Sequence, residues 1–506
     1  MHRLNYLDAQ FLHIEDVNSP MHIANVAVFE GPVPSQEQIE QLIESKLHLL
    51  QRYRQRIRFA PLDLGRPVWV DDPRFYLRYH VRRTAIPEPH NFAALWRLMG
   101  RLMSQLLDRS RPLWEIWVVE GLEDGRWAMI QKSHHAMVDG VNGTGLIGII
   151  LDKSPDAPLQ EPTRWLPEAE PTTFALLDGA VRGYREDVEQ WQRAMRDDLK
   201  HFTRAIRSYR ELAEGFGELG RKLLQTRSVS SHGKLGPHRS YAPARARIAD
   251  IQLIRKAFGG TINDVVLACV SAGHRALLAH RGDDPSRAVI RSLVPVFVGQ
   301  VAGTASFGNR VSALYCDLPV HVADPVKRLR AVSTEMTRLK ESHMSEAGAL
   351  LTALGDLAAP WTVAQLTRLY ARLNQIFPQR SVSTVTTNVP GPRERLYCLG
   401  RRMIESYPYV PIGQGTQVGT AVLSYDGQLT FGVTADYNTL PDVSVMVQAI
   451  EADLDVLLKR AREVLLQDGS LEPEQDKRPD VARLSEGSEP KLASLARLTA
   501  DSTPRT

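Results

Sequence analysis

Two short connections constrain the fold of this chain most. Residues 115–122, EIWVVEGL, and 127–133, WAMIQKS, each read as a strand, and the turn EDG at 123–125 joins them. A link that short makes the two strands a hairpin. The stretch 417–437, QVGTAVLSYDGQLTFGVTADY, turns back on itself in the same way around Asp426-Gly427. Each half of the chain therefore holds strands and helices without strict βαβ alternation, and the expected class is α+β.

The remaining patterns fill in the organisation. Residues 21–29, MHIANVAVF, read as a strand. A helix follows, opened by Ser35 and Gln38 in capping-box spacing, with Ile39, Leu42, Ile43 and Leu47 on one face. Phe92, Leu95, Met99, Met103 and Leu106 mark a helix from about Asn91 to Leu107. A helix is also expected near 141–151, after the small residues beyond Asp139. Residues 153–172 are rich in Pro, Asp and Glu and read as a loop leaving a first domain. Helical spacing returns over 174–224. Past residue 240, Thr261 caps a helix of about 262–281 that Gly282 ends. Strands are expected at 288–298 and 381–389, and helices near 324–343, 347–357, 362–376 and 443–466. The expected division is a first domain over 1–172, a helical basic linker over 173–239, a second domain over 240–468, and a polar, disordered tail over 469–506.

Composition excludes some classes. At 506 residues, two domains are the natural prior, and 43% apolar with 24% charged residues is the balance of a globular protein. No apolar run approaches the ~20 residues a bilayer span needs, and the start of the chain is too polar for a signal peptide, so a cytosolic location is expected. Cys269, Cys316 and Cys398 have no C-x-x-C spacing, so neither a disulfide framework nor a zinc site is expected. Net charge is only +4, but Arg221 to Arg247 holds seven Lys or Arg and no acid. That run reads either as a solvated linker or as a surface for anionic lipid or a phosphate-bearing substrate. No recognition motif accompanies it, so nucleic acid is not expected as a partner.

The chemistry points to QKSHHAMVDGVNGTG, residues 131–145. Histidine titrates near neutral pH, and a held pair at a strand end suits proton transfer. Successive side chains on a strand face opposite sides, so one histidine can face a cleft while its neighbour packs inward. Asp139 falls at the turn beyond, where its carboxylate can accept hydrogen bonds from backbone or an arginine, with Arg291 and Arg58 as candidates. Adjacent histidines diverge, so a metal site is not expected. Gly143 to Gly148 matches G-x-G-x-x-G, but no second parallel strand follows, so the glycines read as small residues for close helix packing. No bound cofactor is expected.

HHAMVDG resembles the H-H-x-x-x-D-G motif of the coenzyme A-dependent acyltransferase superfamily. The nearer resemblance is to the bacterial wax ester synthase/acyl-CoA:diacylglycerol acyltransferase family. It is carried by LDAQFLHIEDVNSPMHIANVAVFEG near the start, DRSRPLWEIWVVEGL at 108–122, GGTINDVVLACVSAGHRALL at 259–278, GNRVS at 308–312 and TTNVPGP at 386–392. These blocks run in order over about residues 4–465.

The resemblance implies two chloramphenicol-acetyltransferase-like domains forming a pseudo-dimer, with an active-site tunnel between them. It implies His135 as general base, His134 and Asp139 as residues shaping the site, and Gly140 as the residue permitting the turn. Asn263 either donates to the oxyanion or caps its helix, and Asp264 reads as a helix N-terminal charge. Pro112, Leu113 and Trp114 read as wall or packing residues or as substrate contacts. Asn388, Pro390 and Gly391 read as a loop crossing between domains or as an acyl-chain contact. The implied activity is acyl transfer from acyl-CoA, as co-substrate, to diacylglycerol, with a long-chain alcohol as the alternative acceptor. A non-catalytic lipid-binding protein and a condensation enzyme using carrier-protein thioesters remain as other readings. Insoluble substrates imply peripheral docking on the inner membrane or a lipid droplet. The stretch around Trp191, Phe202 and Tyr209 and the basic run from Arg221 to Arg247 are the expected docking segments.

Overall fold

The computed structural model describes residues 2–137, 145–200, 229–297, 311–341, 360–376 and 381–470. In chain order the first half supplies α1 (Tyr6–Ile14), β1 (His22–Phe29), α2 (Gln36–Lys46), β2 (Val81–Ala85), α3 (Phe92–Met103), β3 (Trp114–Glu120) and β4 (Trp127–His134). The long helix α4 (Thr173–Lys200) leads to the second half. There follow β5 (Arg239–Arg247), α5 (Ile248–Phe258), α6 (Ile262–His280), β6 (Ile290–Phe297), β7 (Val311–Leu318), α7 (Pro325–Glu341) and α8 (Pro360–Ile376). The chain ends through β8 (Thr384–Val389), β9 (Arg401–Tyr409), β10 (Val418–Tyr425), β11 (Gln428–Asp436) and α9 (Val443–Gln467).

Local chemistry accounts for the helix starts. Ser35 Oγ accepts the Gln38 amide at 3.2 Å while Gln38 Oε1 accepts the Ser35 amide at 2.9 Å, closing the expected capping box. Asn91 caps α3 through the Ala94 amide. At α6, Thr261 Oγ1 accepts from the Asp264 amide at 3.2 Å and Asp264 Oδ2 accepts from the Thr261 amide at 2.8 Å.

Two six-stranded mixed sheets form the two domains, as expected for α+β. The second runs β7-β6-β8-β10-β11-β5, with the hairpin β10/β11 at its heart. The first runs from the short strand Tyr397–Cys398 through β9, β1, β4 and β3 to β2. Its β9 comes from the second half of the chain and pairs antiparallel with β1, Tyr407 opposite Val26. The segment expected as one second domain, 240–468, thus serves both sheets. The reason is visible where the sheets meet. Thr430 Oγ1 donates to the Ser406 carbonyl at 2.6 Å, and Tyr241 OH donates to the Pro408 carbonyl at 2.8 Å. A Cβ at Gly432 would lie 1.8 Å from that same Pro408 oxygen, so only glycine permits this approach.

Two expectations change. Helix α6, 19 residues long, does meet the length and hydropathy of a bilayer span, but most of it is buried in the core with α9 and α7 packed against it. Its apolarity is that of a core helix. The basic run is also not one free surface. Arg239 is buried, donating to the Gly236 and Asn18 carbonyls, and Arg245 donates to Tyr407 OH at 2.5 Å. Both belong to β5. The docking segment's Phe202, Tyr209, Arg221, Lys222 and Arg227, the helix expected near 347–357 and the tail from residue 471 lie outside the described residues, as does Trp191's side chain.

Candidate active site

Strand β4 lies between β1 and β3 in the first sheet and delivers the histidine pair. His134 is its last residue, opposite His22 of β1, and its amide donates to the Leu113 carbonyl at 2.9 Å. His135 begins a 3-10 turn, His135–Met137, and its amide donates to the Met21 carbonyl at 2.8 Å. The expected split of directions is present: His134 is fully buried, whereas His135 is half-buried. The His135 ring stacks on Phe11 of α1, with centroids 3.9 Å apart and planes 21° from parallel. Burial, aided by the neighbouring His134 ring, lowers the His135 imidazole from 6.5 to about 4. At neutral pH it is the free base.

Beneath the pair lies a polar cluster that the sequence motifs do not reveal. Glu15, one residue past the end of α1, has a side chain only 2% exposed, with Oε1 3.2 Å from His22 Nε2 and 3.4 Å from His134 Nε2. Its Oε2 accepts two hydrogen bonds from Arg109, at 2.8 and 3.1 Å. Burial by itself would raise the Glu15 carboxyl, but the approach of His134 and His22 outweighs it and holds the group well below the usual carboxylate range. Lys132, two residues before His134 and buried, donates to the Leu102 and Gln105 carbonyls; burial lowers its ammonium to about 8. A neutral imidazole on an anchored strand end, above a satisfied carboxylate, is chemically able to accept a proton.

The description "Wax ester synthase/diacylglycerol acyltransferase catalytic domain" matches residues 4–266, and the C-terminal domain of the same family matches 307–458. The chain belongs to this family. Its relatives include a probable diacylglycerol O-acyltransferase of Mycobacterium tuberculosis H37Rv, tgs1, 36% identical over 481 residues, covering 93% of this chain and 99% of that protein. A putative diacylglycerol O-acyltransferase of the same organism is 32% identical, covering 91% and 98%. The solved wax ester synthase/diacylglycerol acyltransferase of Marinobacter aquaeolei VT8 shares the fold, with a TM-score of 0.65 at 24% identity, covering 91% of this chain and all of that one.

In this acyltransferase the other sequence-derived residues take distinct places. Pro112, Leu113 and Trp114 are all buried; Trp114 Nε1 donates to the Tyr53 carbonyl at 2.8 Å and its ring stacks on His80 at 4.6 Å. Asp264 completes the α6 capping box. The cap is Thr261, so the capping role weighed for Asn263 falls away, and Asn263 stands half-buried in the first turn. Asn388 pairs with Val422 in β8, Pro390 is exposed, and the chain then crosses to the first sheet. A Cβ at Gly391 would fall 1.9 Å from the Ser424 carbonyl oxygen, which makes this glycine a close-approach residue. Asp139 and Gly140 lie outside the described residues. Of the two arginines weighed as partners for Asp139, Arg58 meets Glu170 at 3.2 Å and Arg291 meets Asp317 at 2.6 Å.

The buried histidines make the stability of the acyltransferase pH-dependent. Burial lowers His22 to about 3, and His13, His80, His135 and His274 to about 4. These groups are neutral in the fold but protonate near 6.5 once unfolded, so as pH falls from 6.5 toward 4 the unfolded state binds more protons. Each then removes stability at up to ~1.4 kcal/mol per pH unit. Asp453, raised by burial to about 6, acts in the opposite sense, one group against five. Thermal melts are expected to show a midpoint clearly lower at pH 5 than at pH 7.5; equal midpoints would contradict the neutral-histidine assignment.

Proposed function

We propose that this acyltransferase transfers the acyl group of an acyl-CoA to the free hydroxyl of diacylglycerol, forming triacylglycerol. The observation that carries the chemistry is the neutral, half-buried His135 ring on the anchored end of β4. The neutral imidazole takes the hydroxyl proton as the alcohol oxygen attacks the thioester carbonyl. The tetrahedral oxyanion then collapses, the carbon–sulfur bond breaks, and the imidazolium returns its proton to the departing thiolate of coenzyme A. Asn263, half-buried and free of the cap, is the side chain assigned to the oxyanion. The choice of acceptor is supported by relatives described as diacylglycerol acyltransferases that align with this chain over almost their full lengths. The test offers labelled palmitoyl-CoA with diacylglycerol and hexadecanol side by side. Label is expected mainly in triacylglycerol. Label mainly in wax ester would overturn the acceptor, and no transfer to either would favour a lipid-binding role.

We further propose that the enzyme acts from the cytoplasmic side while docked on a lipid surface, inner membrane or droplet. Helix α8 supports this reading: Leu366, Leu369, Tyr370 and Leu373, at i, i+3, i+4 and i+7, are all exposed, and Arg372 lies among them. The inner side of α8 packs on α1, where Thr367 Oγ1 donates to Gln10. Docking there would bring the lipid surface close to the helix that carries Phe11. The protein is expected to co-sediment with anionic liposomes, and replacing Leu366, Leu369 and Leu373 by Ser should weaken binding by ~10-fold or more, as loss of several buried side chains requires. Binding unchanged by the triple substitution would remove α8 as the docking face.

A further inference from the structure

We infer that Glu15, anchored by Arg109, is the positioning residue of the histidine pair: its carboxylate sets the His134 ring and the Met21 backbone, and these two together hold the turn that presents His135. The inference rests on the reading of His135 as base.

The connections run along two routes that meet at His135. On the first, Glu15 Oε1 faces His134 Nε2 at 3.4 Å, and His134 Nδ1 accepts the Ala136 amide at 3.0 Å. Because Nδ1 is the acceptor, the ring proton belongs on Nε2, toward the carboxylate. The ring thus sits between the Glu15 carboxylate, in contact at 3.4 Å, and the backbone just after His135, which it holds by a hydrogen bond. On the second route, Glu15 Oε1 accepts the Met21 amide at 3.0 Å, and the Met21 carbonyl accepts the His135 amide at 2.8 Å. One carboxylate therefore constrains His135 through its own amide and through the residues on both sides of it.

The anchor is equally specific. Arg109 makes a two-nitrogen contact to Glu15 Oε2 and donates from Nη2 to the Leu12 carbonyl at 2.8 Å, so it ties down the C-terminal turn of α1 together with the carboxylate. Phe11, four residues before Glu15 and on the same side of α1, supplies the ring on which His135 stacks. Helix α1 thus delivers both the floor of the base and its orienting acid. A base needs a tautomer and a direction, and displacement by ~1 Å can cost ~100-fold in rate. Second-layer carboxylates behind histidines commonly supply both.

The test measures kcat, KM for palmitoyl-CoA and thermal midpoint for Glu15→Ala, Glu15→Gln and Arg109→Met, beside His135→Ala. Glu15→Ala is expected to lose ~100-fold or more in kcat with KM changed by less than ~3-fold, the split that marks misplaced chemistry rather than lost binding. Glu15→Gln retains an oxygen for the His134 Nε2 proton and the Met21 amide, so it should recover at least ~10-fold of that loss. Arg109→Met, which leaves the carboxylate in place, should lie between Glu15→Ala and wild type. Nitrogen-15 spectra of His134 should show a single tautomer, proton on Nε2, in wild type and Glu15→Gln. If Glu15→Ala fails to fold, the Gln and Arg109 variants still decide: wild-type kcat in both overturns the inference. A folded Glu15→Ala with wild-type kcat beside an inactive His135→Ala overturns the positioning role while leaving the base in place. A folded His135→Ala with wild-type kcat removes the base, and the inference with it.

Discussion

His135→Ala is expected to lower turnover by ~10² or more, the scale of a lost general base. The ring is half-buried, stacked on Phe11, and neutral at the pH of the assay. It makes no hydrogen bond to another side chain among the described residues, so its removal should leave the surrounding network standing and the thermal midpoint close to that of wild type. His134→Ala should behave differently. That ring is fully buried, faces Glu15 and accepts the Ala136 amide. Deleting it strands a buried carboxylate contact and a buried amide, costing ~1–3 kcal/mol of stability besides activity. The pair is thus separated by two readouts: rate falls without stability at 135, and both fall at 134. A folded His135→Ala enzyme with wild-type turnover would end the mechanism.

Trp114→Ala is expected to destabilise the protein by about 3–5 kcal/mol, the usual cost of emptying a buried tryptophan site. Trp114 is completely buried. Its indole N–H donates to the Tyr53 carbonyl, its face covers His80, and its edge meets the Tyr53 ring at 5.3 Å. The side chain therefore joins β3 to two segments that precede it by dozens of residues, and its loss opens a cavity where they meet. Trp114→Phe should cost less, keeping most of the apolar volume but leaving the Tyr53 carbonyl without its donor. Urea unfolding measures both. An unchanged midpoint together with a raised KM for the acceptor would assign the residue to the substrate wall instead.

How far the site could be read from sequence differs residue by residue. The two histidines stood out because adjacent histidines at the end of an apolar strand are chemically unusual, and the hairpin before them placed that strand end. Glu15 and His22 lie within the quoted block LDAQFLHIEDVNSPMHIANVAVFEG, yet nothing in that block marks either as a partner of residue 134. An acid beyond a short helix reads as surface, and a histidine starting a strand reads as filler. Arg109 follows the same logic: DRSRPLW contains two arginines, and only the fold shows that the first one reaches Glu15 while Arg111 turns to Asp108.

Elements whose causes are local can be read straight from the chain. The Ser35 capping box, the Thr261 cap and the Asp426-Gly427 turn depend on groups within four residues of each other, so their spacing is legible in the chain. The mixed helix and sheet class is legible too, because tight turns dictate which strands are neighbours. The pairing of β9 with β1 outside its own half, the core position of the apolar helix α6, the burial of Arg239 and the place of Glu15 under the histidine pair emerge only in the folded chain. Each of these is a contact between residues far apart in sequence, and the burial that neutralises His135 comes from elements the histidine's own neighbours do not encode. Such contacts are chosen by the packing of whole faces, where a carboxylate is tolerated in the interior only if donors such as the Arg109 guanidinium and the Met21 amide converge on it.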